Sequence, residues 1–416
     1  MGDSPLQDRT QSNRYGSFGQ LADDYLAPRA PVAVIDTQVD PIFSDQINYH
    51  MRNLRAQHVR QNPQLDLLPG YFRADYRISA DLTRFDTGEG RAAVLETVRG
   101  HDLFIITDVL NYGQYYTRFN QMVSKAPDEH FADLVRLIQA TRSAATRINV
   151  IMPYLYEGRR YRRTGRESLD CGTMLKILFS MQINNFITFD AHDSRVANAV
   201  PRNNFETFPI SYEIVDGLLT RFPDIKVDTD HLMIVSPDEM SISRAIFYAS
   251  TLRVPLGTFY RRRDFSRQTD GLARQTADKH FLGDNVENKD VLIIDDAIHT
   301  GQTMLEAAAK IKALGAKRVF CAVSFALFTR GFEAFNQAHD EGCIEHVFAT
   351  NLTYCPPILQ FAPWFSHVNL TKNVAGLIDA LNQSASLSRL LAPSEKIAAR
   401  LAEHNKTGCL LPTNEG

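Results

Sequence analysis

Two adjacent acids, Asp295 and Asp296, follow four consecutive apolar residues and precede a turn that contains Thr300 and Gly301. Such an apolar run, rich in β-branched residues, is typical of a strand buried on both faces. Periodic apolar residues after Thr303 predict a helix that this residue caps. Because ligands of parallel α/β sheets bind at the carboxyl ends of the strands, this strand, turn and helix predict a binding site.

The turn has the chemistry of a phosphate site. Backbone N–H groups at the start of a helix have no partner within it, and with the helix dipole they favour a dianionic phosphate. Thr300 and Thr303 add hydroxyl donors, and Gly301 lets the backbone approach a ligand closely. Asp295 and Asp296 repel phosphate, so they are better suited to sugar hydroxyls or to a hard cation such as Mg²⁺. The pattern favours a sugar-phosphate site; the alternative is two solvated acids beside an ordinary helix cap.

Other predicted strands also end in polar residues. One ends just before His192, a second before Asp238, and a third before the basic triplet 261–263. Each has a purely structural alternative: a buried histidine bonded to an acid, a helix cap, and a basic loop. Residues 158–166 hold five arginines directly after a further strand, which is either a solvated face or a loop that clamps an oligophosphate. Recurrence at the same end of successive strands favours one composite site.

The composition is that of an ordinary globular protein. The chain has 416 residues, 44% hydrophobic and 22% charged, which allows two or three domains. A formal net charge of −3 gives no bulk attraction to nucleic acid or to an anionic membrane. No apolar run approaches the length of a membrane span, and no signal-peptide core is visible, so we expect a cytoplasmic protein. Five widely spaced cysteines without a CxxC pair argue against a disulfide framework or a zinc site.

Strands and helices alternate in two successive sets, which predicts an α/β fold with two similar parallel-sheet domains. We expect a loose N-terminal arm (1–30), an N-terminal domain (31–205), a C-terminal domain (206–370), and C-terminal helices and a tail (371–416). A last strand is predicted near 346–349, helical spacing marks 374–381 and 387–401, and the tail is expected to be loose from 405. The polar segment 264–289 interrupts the second set. It is expected to be long and mobile, of the kind used as a lid.

Several segments resemble ribose-phosphate pyrophosphokinases, the phosphoribosyl pyrophosphate (PRPP) synthetases. Phe-Asp-Thr-Gly-Glu at 85–89 is similar to the family's Phe-Ser-Asp-Gly-Glu loop, and Val-Ser-Pro-Asp at 235–238 is a match. The acid pair with its Thr-Gly-x-Thr turn resembles the PRPP motif that these enzymes share with type I phosphoribosyltransferases. The segments that carry the resemblance, in order, are 85–89, 98–106, 153–163, 189–192, 235–245, 260–263 and 291–304.

The resemblance implies two tandem domains of phosphoribosyltransferase type. It also implies transfer of the pyrophosphoryl group of ATP to C1 of ribose 5-phosphate, with Mg²⁺ as cofactor, in a homo-oligomer whose neighbouring subunit could supply part of the adenine site. The implied site residues are Phe85, Glu89, Arg159, Arg160 and His192 for ATP; Asp295, Asp296, Thr300, Gly301, Gln302 and Thr303 for ribose 5-phosphate; His192, Asp238, Asp295 and Asp296 for the metal; and Arg261, Arg263 and His192 for catalysis.

The sequence also departs from the family pattern. The family's lid lysine is Arg261 here, and the acid that precedes its Thr-Gly pair is His299. The acid of the Phe-Ser-Asp-Gly-Glu loop is Thr87, and two glycines after Ser-Pro-Asp are Met240 and Ser241. These changes either retune nucleotide binding and regulation or mark a non-catalytic regulatory subunit that assembles with a true synthetase. A third alternative, a phosphoribosyltransferase that consumes PRPP, would explain the PRPP motif but not the segments upstream of it.

Overall fold

The computed structural model describes residues 28–37, 41–163, 165–262 and 278–408. The β-strands of these ranges are β1 (Val32–Asp36), β2 (Ala80–Arg84), β3 (Gly90–Val94), β4 (Asp102–Ile106), β5 (Tyr115–Arg118), β6 (Gln121–Ser124), β7 (Arg147–Ile151), β8 (Asn185–Phe189), β9 (Asn204–Phe208), β10 (Leu232–Ser236), β11 (Leu256–Arg262), β12 (Asp278–Leu282), β13 (Asp290–Ile298), β14 (Arg318–Ala326), β15 (His346–Thr350) and β16 (Phe365–Val368). The α-helices are α1 (Pro41–Gln61), α2 (Pro127–Thr141), α3 (Asp170–Ser180), α4 (Ser211–Arg221), α5 (Ile242–Leu252), α6 (Gln302–Ala313), α7 (Glu333–Asp340), α8 (Thr371–Asn382), α9 (Ser388–Leu391) and α10 (Pro393–Gly408).

Two parallel sheets dominate the structure. The first has five strands in the order β1-β4-β7-β8-β9, all parallel. The second has the order β12-β11-β10-β13-β14-β15-β16, parallel except where β12 joins the edge of β11. Central strands β4, β10 and β15 are buried along their whole length, which is why they appear in the sequence as continuous apolar runs. The predicted α/β class with two parallel sheets is confirmed.

The two sheets share one continuous hydrophobic core. It contains residues of both sheets together with residues of α1, α4, α5 and α8, for example Phe104 of β4 and Leu292 of β13. A buried ion pair between Arg55 of α1 and Asp379 of α8, 2.7 Å apart, reinforces this contact. This shared, close-packed core fixes the carboxyl ends of the strands in one sheet relative to those in the other. A site built from both sheets requires such a fixed arrangement.

Three sequence predictions need correction. The segment 264–289 was expected to be long and mobile throughout, but 278–282 forms β12, because it pairs antiparallel with the extended end of β11; residues 264–277 lie outside the described residues. The tail was expected to be loose from 405, yet α10 continues to Gly408. The helical spacing across 387–401 belongs to two helices, α9 and α10, because Pro393 begins the second. The predicted arm up to residue 27 lies outside the described residues.

A buried acid connects the two halves of the protein. Asp108, just after β4, accepts hydrogen bonds from the backbone N–H groups of Tyr354 at 2.6 Å and Leu110 at 3.0 Å. Tyr354 follows β15, and its ring packs edge-to-face on Tyr112. Burial raises the pKa of Asp108 to about 6, although both N–H donors oppose the shift.

Asp108→Asn is therefore expected to flatten the pH dependence of stability. The folded pKa lies above the unfolded value, so the folded state binds more protons between pH 4 and 6, and stability is lost as the pH rises through about 6. Relative to the Asn variant, the wild type should lose up to about 3 kcal/mol of unfolding free energy between pH 4 and pH 7. Urea titrations at several pH values measure this difference; parallel profiles for the two proteins would contradict the assignment.

Candidate active site

The twin acids lie inside β13, near its carboxyl end. The sequence predicted the acids at the end of a strand, and the strand runs two residues past them to Ile298, because Ala297 and Ile298 pair with the end of β14. Consecutive residues of a strand point to opposite faces, so Asp295 and Asp296 have different surroundings. Asp296 is buried, with 4% of its surface exposed, whereas Asp295 is half-buried.

Asp296 is the most heavily engaged residue of the site. One carboxylate oxygen accepts from Nη2 of Arg159 at 2.9 Å, and the other is 2.7 Å from Nδ1 of His192. Burial alone would raise the pKa of Asp296, but the His192 hydrogen bond and the charges of Arg159 and Arg244 outweigh it and lower the pKa. Asp296 is therefore a carboxylate of the C-terminal domain that binds two side chains of the N-terminal domain.

Asp295 has the opposite electrostatic character. Its Oδ1 accepts from the hydroxyl of Ser241 and, at 2.8 Å, from the backbone N–H of Asp296. Burial raises its pKa, and the negative charges of Asp296 and Asp238 raise it further. The group thus lies in a concentration of negative charge that a bound cation would relieve.

A second, partly buried network supports the turn that carries His192. The preceding Asp190 has a φ of 44°, in the left-handed region that aspartate tolerates better than most residues. Its carboxylate accepts from Nε of Arg244 at 2.9 Å and from the hydroxyl of Ser324. Arg244 is on α5 and Ser324 is on β14, so the second domain fixes the turn of the first that carries His192.

The phosphate cradle begins at Gly301. Gly301 adopts a φ of +82° and is the N-cap of α6, so the prediction that Thr303 is the cap is wrong. A Cβ at Gly301 would lie 2.3 Å from Cε2 of Phe335, closer than side chains pack. Glycine is therefore required here for both its backbone conformation and its size. The following amides open α6, where helical N–H groups lack partners within the helix.

These elements surround a cavity of about 360 Å³. Its size is that of a small-molecule site. We call it the acid cavity. It is lined by Arg159, Tyr161, Arg162, His192, Asp238, Met240, Ser241, Asp295, Asp296, Ala297, Ile298, His299, Thr300, Gly301, Thr303 and Met304.

Asp238 has a structural role besides its place in the acid cavity. Its Oδ1 accepts from the backbone N–H groups of Met240 at 2.9 Å and Ser241 at 3.2 Å, which shapes the turn before α5. The structural alternative, that Asp238 is the helix cap, is wrong, because Ser241 is the N-cap of α5. The place of Asp238 in the wall of the acid cavity is compatible with a site residue.

A second cavity of about 440 Å³ adjoins the first through Arg159, which lines both. We call it the aromatic cavity, because Tyr154 and Tyr156 form part of its wall with Arg160. The ring of Tyr156 stacks on Phe131 of α2 with 5.0 Å between ring centroids.

Several predicted site residues lie elsewhere in the described structure. Phe85 and Glu89 are in the turn of the β2–β3 hairpin and line neither cavity. Gln302 is the first residue of α6, with its side chain on Glu306. Arg261 contributes its backbone to β11, and Arg263 lies outside the described residues.

Sequence reasoning assigned no role to several residues that line the acid cavity or support it. Ser241 follows Asp238 at a helix start, and its hydroxyl was a usable signal for a contact with an acid. No sequence signal pointed to Asp190 or Ser324, because their contact depends on how the ends of β8 and β14 lie relative to each other. In the described ranges, no group of three or more His, Cys, Asp or Glu side chains is arranged to hold a metal by itself.

Comparison with known proteins identifies the family. A family model described as the N-terminal domain of ribose phosphate pyrophosphokinase matches residues 75–181, and one for the phosphoribosyl transferase domain matches 203–348. Together these matches span more than half of the chain. The chain belongs to the ribose-phosphate pyrophosphokinase family. The matched ranges contain Arg159 and the three predicted acids, while His192 lies between the two ranges, and the family's two domains follow in the expected order.

Relatives agree with this assignment. Ribose-phosphate pyrophosphokinase of Prochlorococcus marinus is 26% identical over 312 residues, covering 74% of this chain and 84% of the relative. That of Pasteurella multocida is 27% identical, covering 75% and 90%. The phosphoribosylpyrophosphate synthetase structure from Mycobacterium smegmatis superposes with a TM-score of 0.64 at 19% identity over 85% of this chain and 100% of its own, and shows the same fold. Among the described helices, none is long and apolar enough to cross a membrane.

Proposed function

We propose that this protein is a ribose-phosphate pyrophosphokinase: it transfers the β,γ-pyrophosphoryl group of ATP to the C1 hydroxyl of ribose 5-phosphate, giving PRPP and AMP. The observation that carries the proposal is a pair of adjoining cavities that share Arg159. One has the acids and helix start suited to a sugar phosphate, and the other has aromatic walls suited to a base. Both substrates are water-soluble anions, and we place the enzyme in the cytoplasm with them.

Ribose 5-phosphate fits the acid cavity in one orientation. Its dianionic phosphate is best matched by the amides and hydroxyls of the turn Thr300–Thr303. Its hydroxyls then extend toward Asp295 and Asp296, which accept hydrogen bonds from neutral donors but repel phosphate. This orientation directs C1 away from the cradle and toward Arg159.

ATP is placed in the aromatic cavity with its phosphates at Arg159. Planar guanidinium groups bind phosphate oxygens bidentately, and Arg160 lines the same cavity. Phe85 is 47% exposed on its hairpin, so in a homo-oligomer Phe85 and Glu89 would reach the adenine of a neighbouring subunit. Gel filtration with light scattering tests the oligomer.

The residues present fit a Mg²⁺ ion. Mg²⁺ is usually bound by one or two carboxylates together with substrate phosphates, and Asp238 and Asp295 present carboxylates to one cavity. Burial raises the pKa of Asp295, and the charges of Asp296 and Asp238 raise it further, so a cation beside these acids would be stabilised. His192 and Asp296 would support the ion indirectly, since they bind each other. When bound, Mg²⁺ would supply positive charge to the phosphate oxygens.

In this reaction the protein mainly positions the two substrates and stabilises the negative charge of the phosphates; it forms no covalent bond itself. The C1 hydroxyl releases its proton to solvent as its oxygen forms a bond to the β-phosphorus. The bond between that phosphorus and the oxygen bridging to the α-phosphate breaks, and AMP leaves with the bridging oxygen. Arg159 stabilises the charge that develops on the phosphate oxygens. Arg261 and Arg263 are proposed, from the family resemblance alone, to add positive charge to the reacting phosphates, and His192 to orient the reacting phosphate.

Production of AMP tests the proposal. AMP should form from ATP and Mg²⁺ in proportion to added ribose 5-phosphate, with PRPP in equal amount, and should not form when the sugar is omitted. Inactivity combined with stable association with another synthetase would favour a regulatory subunit instead. Release of pyrophosphate that depends on PRPP and a base would indicate a phosphoribosyltransferase.

Two neighbouring arginines provide a matched pair of variants. Arg159→Ala should raise the KM for both substrates by about tenfold or more, because Arg159 lines both cavities and holds Asp296 by a charge-assisted hydrogen bond. Arg160→Ala should raise the KM for ATP alone, because Arg160 lines only the aromatic cavity. Steady-state kinetics with each substrate varied separately distinguishes the two. Equal effects of both variants on ribose 5-phosphate would refute the shared role of Arg159.

A further inference from the structure

His299 occupies the position where the family pattern has an acid. It lies between Asp296 and the phosphate cradle and lines the acid cavity. Its backbone oxygen accepts from the N–H of Thr329 at 2.9 Å, which fixes the loop. Position 299 is therefore held in place beside the sugar-phosphate site whatever its side chain is.

The imidazole of His299 is not satisfied by the protein. Its Nε2 is buried and has no hydrogen-bond partner among the described residues. Burying an unpaired nitrogen is unfavourable, and such groups in native structures call for an explanation. At the edge of a ligand cavity, the simplest explanation is that the partner arrives with the ligand.

His299 also differs in charge from the acid that the family pattern has at this position. Burial lowers the pKa of His299, and the charge of Arg159 lowers it further. The imidazole is thus neutral near pH 7 and offers one N–H donor and one acceptor. Three acids, Asp238, Asp295 and Asp296, already line the same cavity. A fourth carboxylate beside the cradle would repel a dianionic phosphate unless a cation offset it.

We propose that His299 is a positioning residue for the sugar phosphate, donating a hydrogen bond to a ribose or phosphate oxygen, and that it makes sugar-phosphate binding less dependent on a divalent cation than a carboxylate would. This inference rests on the proposed function, because it assumes that the acid cavity takes ribose 5-phosphate. It deepens that function by assigning a role to a residue that departs from the family pattern.

The test is direct binding of ribose 5-phosphate by calorimetry, without ATP, in the presence and absence of Mg²⁺. His299→Asp should weaken binding about tenfold to a hundredfold without Mg²⁺, because it places a negative charge beside the phosphate. The deficit should shrink when Mg²⁺ is added. His299→Gln, a neutral donor of similar reach, should bind within about threefold of the wild type. Thermal unfolding of each variant confirms that it is folded.

The outcomes separate this inference from the proposed function. Equal affinities of the wild type and His299→Asp, with equal Mg²⁺ dependence, would overturn the role of His299 while leaving ribose 5-phosphate as the ligand. Loss of binding in His299→Gln equal to that in His299→Asp would also overturn it, since a neutral donor would then not suffice. Absence of any ribose 5-phosphate binding by the wild type would instead count against the proposed function.

Discussion

Replacing Asp296 with asparagine is expected to lower the rate of AMP formation by about 100-fold or more. Asp296 is buried and binds Arg159 and His192 through separate oxygens. An asparagine has one acceptor oxygen, so its amide nitrogen would face one of two donors, and Arg159 would lose the charge that holds it. Both side chains would then leave the geometry that the transfer requires. The measurement is kcat and KM for both substrates.

Asp290 provides a matched control in the same strand. It is also buried and pairs with an arginine, Arg318, at 2.7 Å, but at the opposite end of β13 from the acid cavity. Asp290→Asn should lower stability, because breaking a buried ion pair costs about 3–5 kcal/mol, yet should leave kcat near the wild-type value where the protein is folded. If Asp296→Asn kept wild-type kcat, Asp296 would not organise the site.

The second large effect is expected for Gly301→Ala. The added Cβ meets Phe335 at 2.3 Å in a backbone conformation with φ of +82°, so both strain and overlap oppose it. We expect a loss of about 2–4 kcal/mol in unfolding free energy. The affinity for ribose 5-phosphate should fall at least about tenfold, because the cradle amides are displaced. Urea unfolding and calorimetry measure the two effects.

Gly342→Ala is the control that distinguishes the cost of backbone strain from the cost of steric overlap with Phe335. Gly342 has a similar φ of +69°, but an added Cβ meets no atom within 4 Å. Its substitution should cost only about 1–2 kcal/mol and leave ligand binding unchanged. In the Gly301→Ala background, Phe335→Leu should restore part of the affinity by making room. Equal stability losses in both glycine variants would show that overlap with Phe335 is not what makes Gly301 necessary.

The central strands and their helices were predictable because their residues carry the signal locally. Apolar runs identified β10, β13 and β15, and periodic apolar residues identified α8. Strand β12 was missed because Asp278, Lys279 and His280 make a polar sequence whose strand conformation comes from pairing with β11. The β5–β6 hairpin was missed for the same reason, since it forms an isolated two-stranded sheet.

The sequence predicted which residues belong to the site better than it predicted which of their side chains contact one another. The sequence pointed to the acids, the arginine loop and His192, and the structure brings these together in one cavity. It could not distinguish the role of Asp295 from that of Asp296, because which acid faces Arg159 depends on the phase of β13 in the sheet. Nor could it reveal the buried contact of Asp190 with Arg244, which joins residues of different domains.

The most direct measurement is a crystal structure with ribose 5-phosphate and a non-hydrolysable ATP analogue bound together. The account predicts the sugar phosphate on the amides of Thr300–Thr303, with its ring hydroxyls toward Asp295 and Asp296. It predicts the phosphate chain of the analogue against Arg159, with the base on the side of Tyr154 and Tyr156. A sugar phosphate bound away from the start of α6, or a nucleotide bound without contact to Arg159, would contradict it.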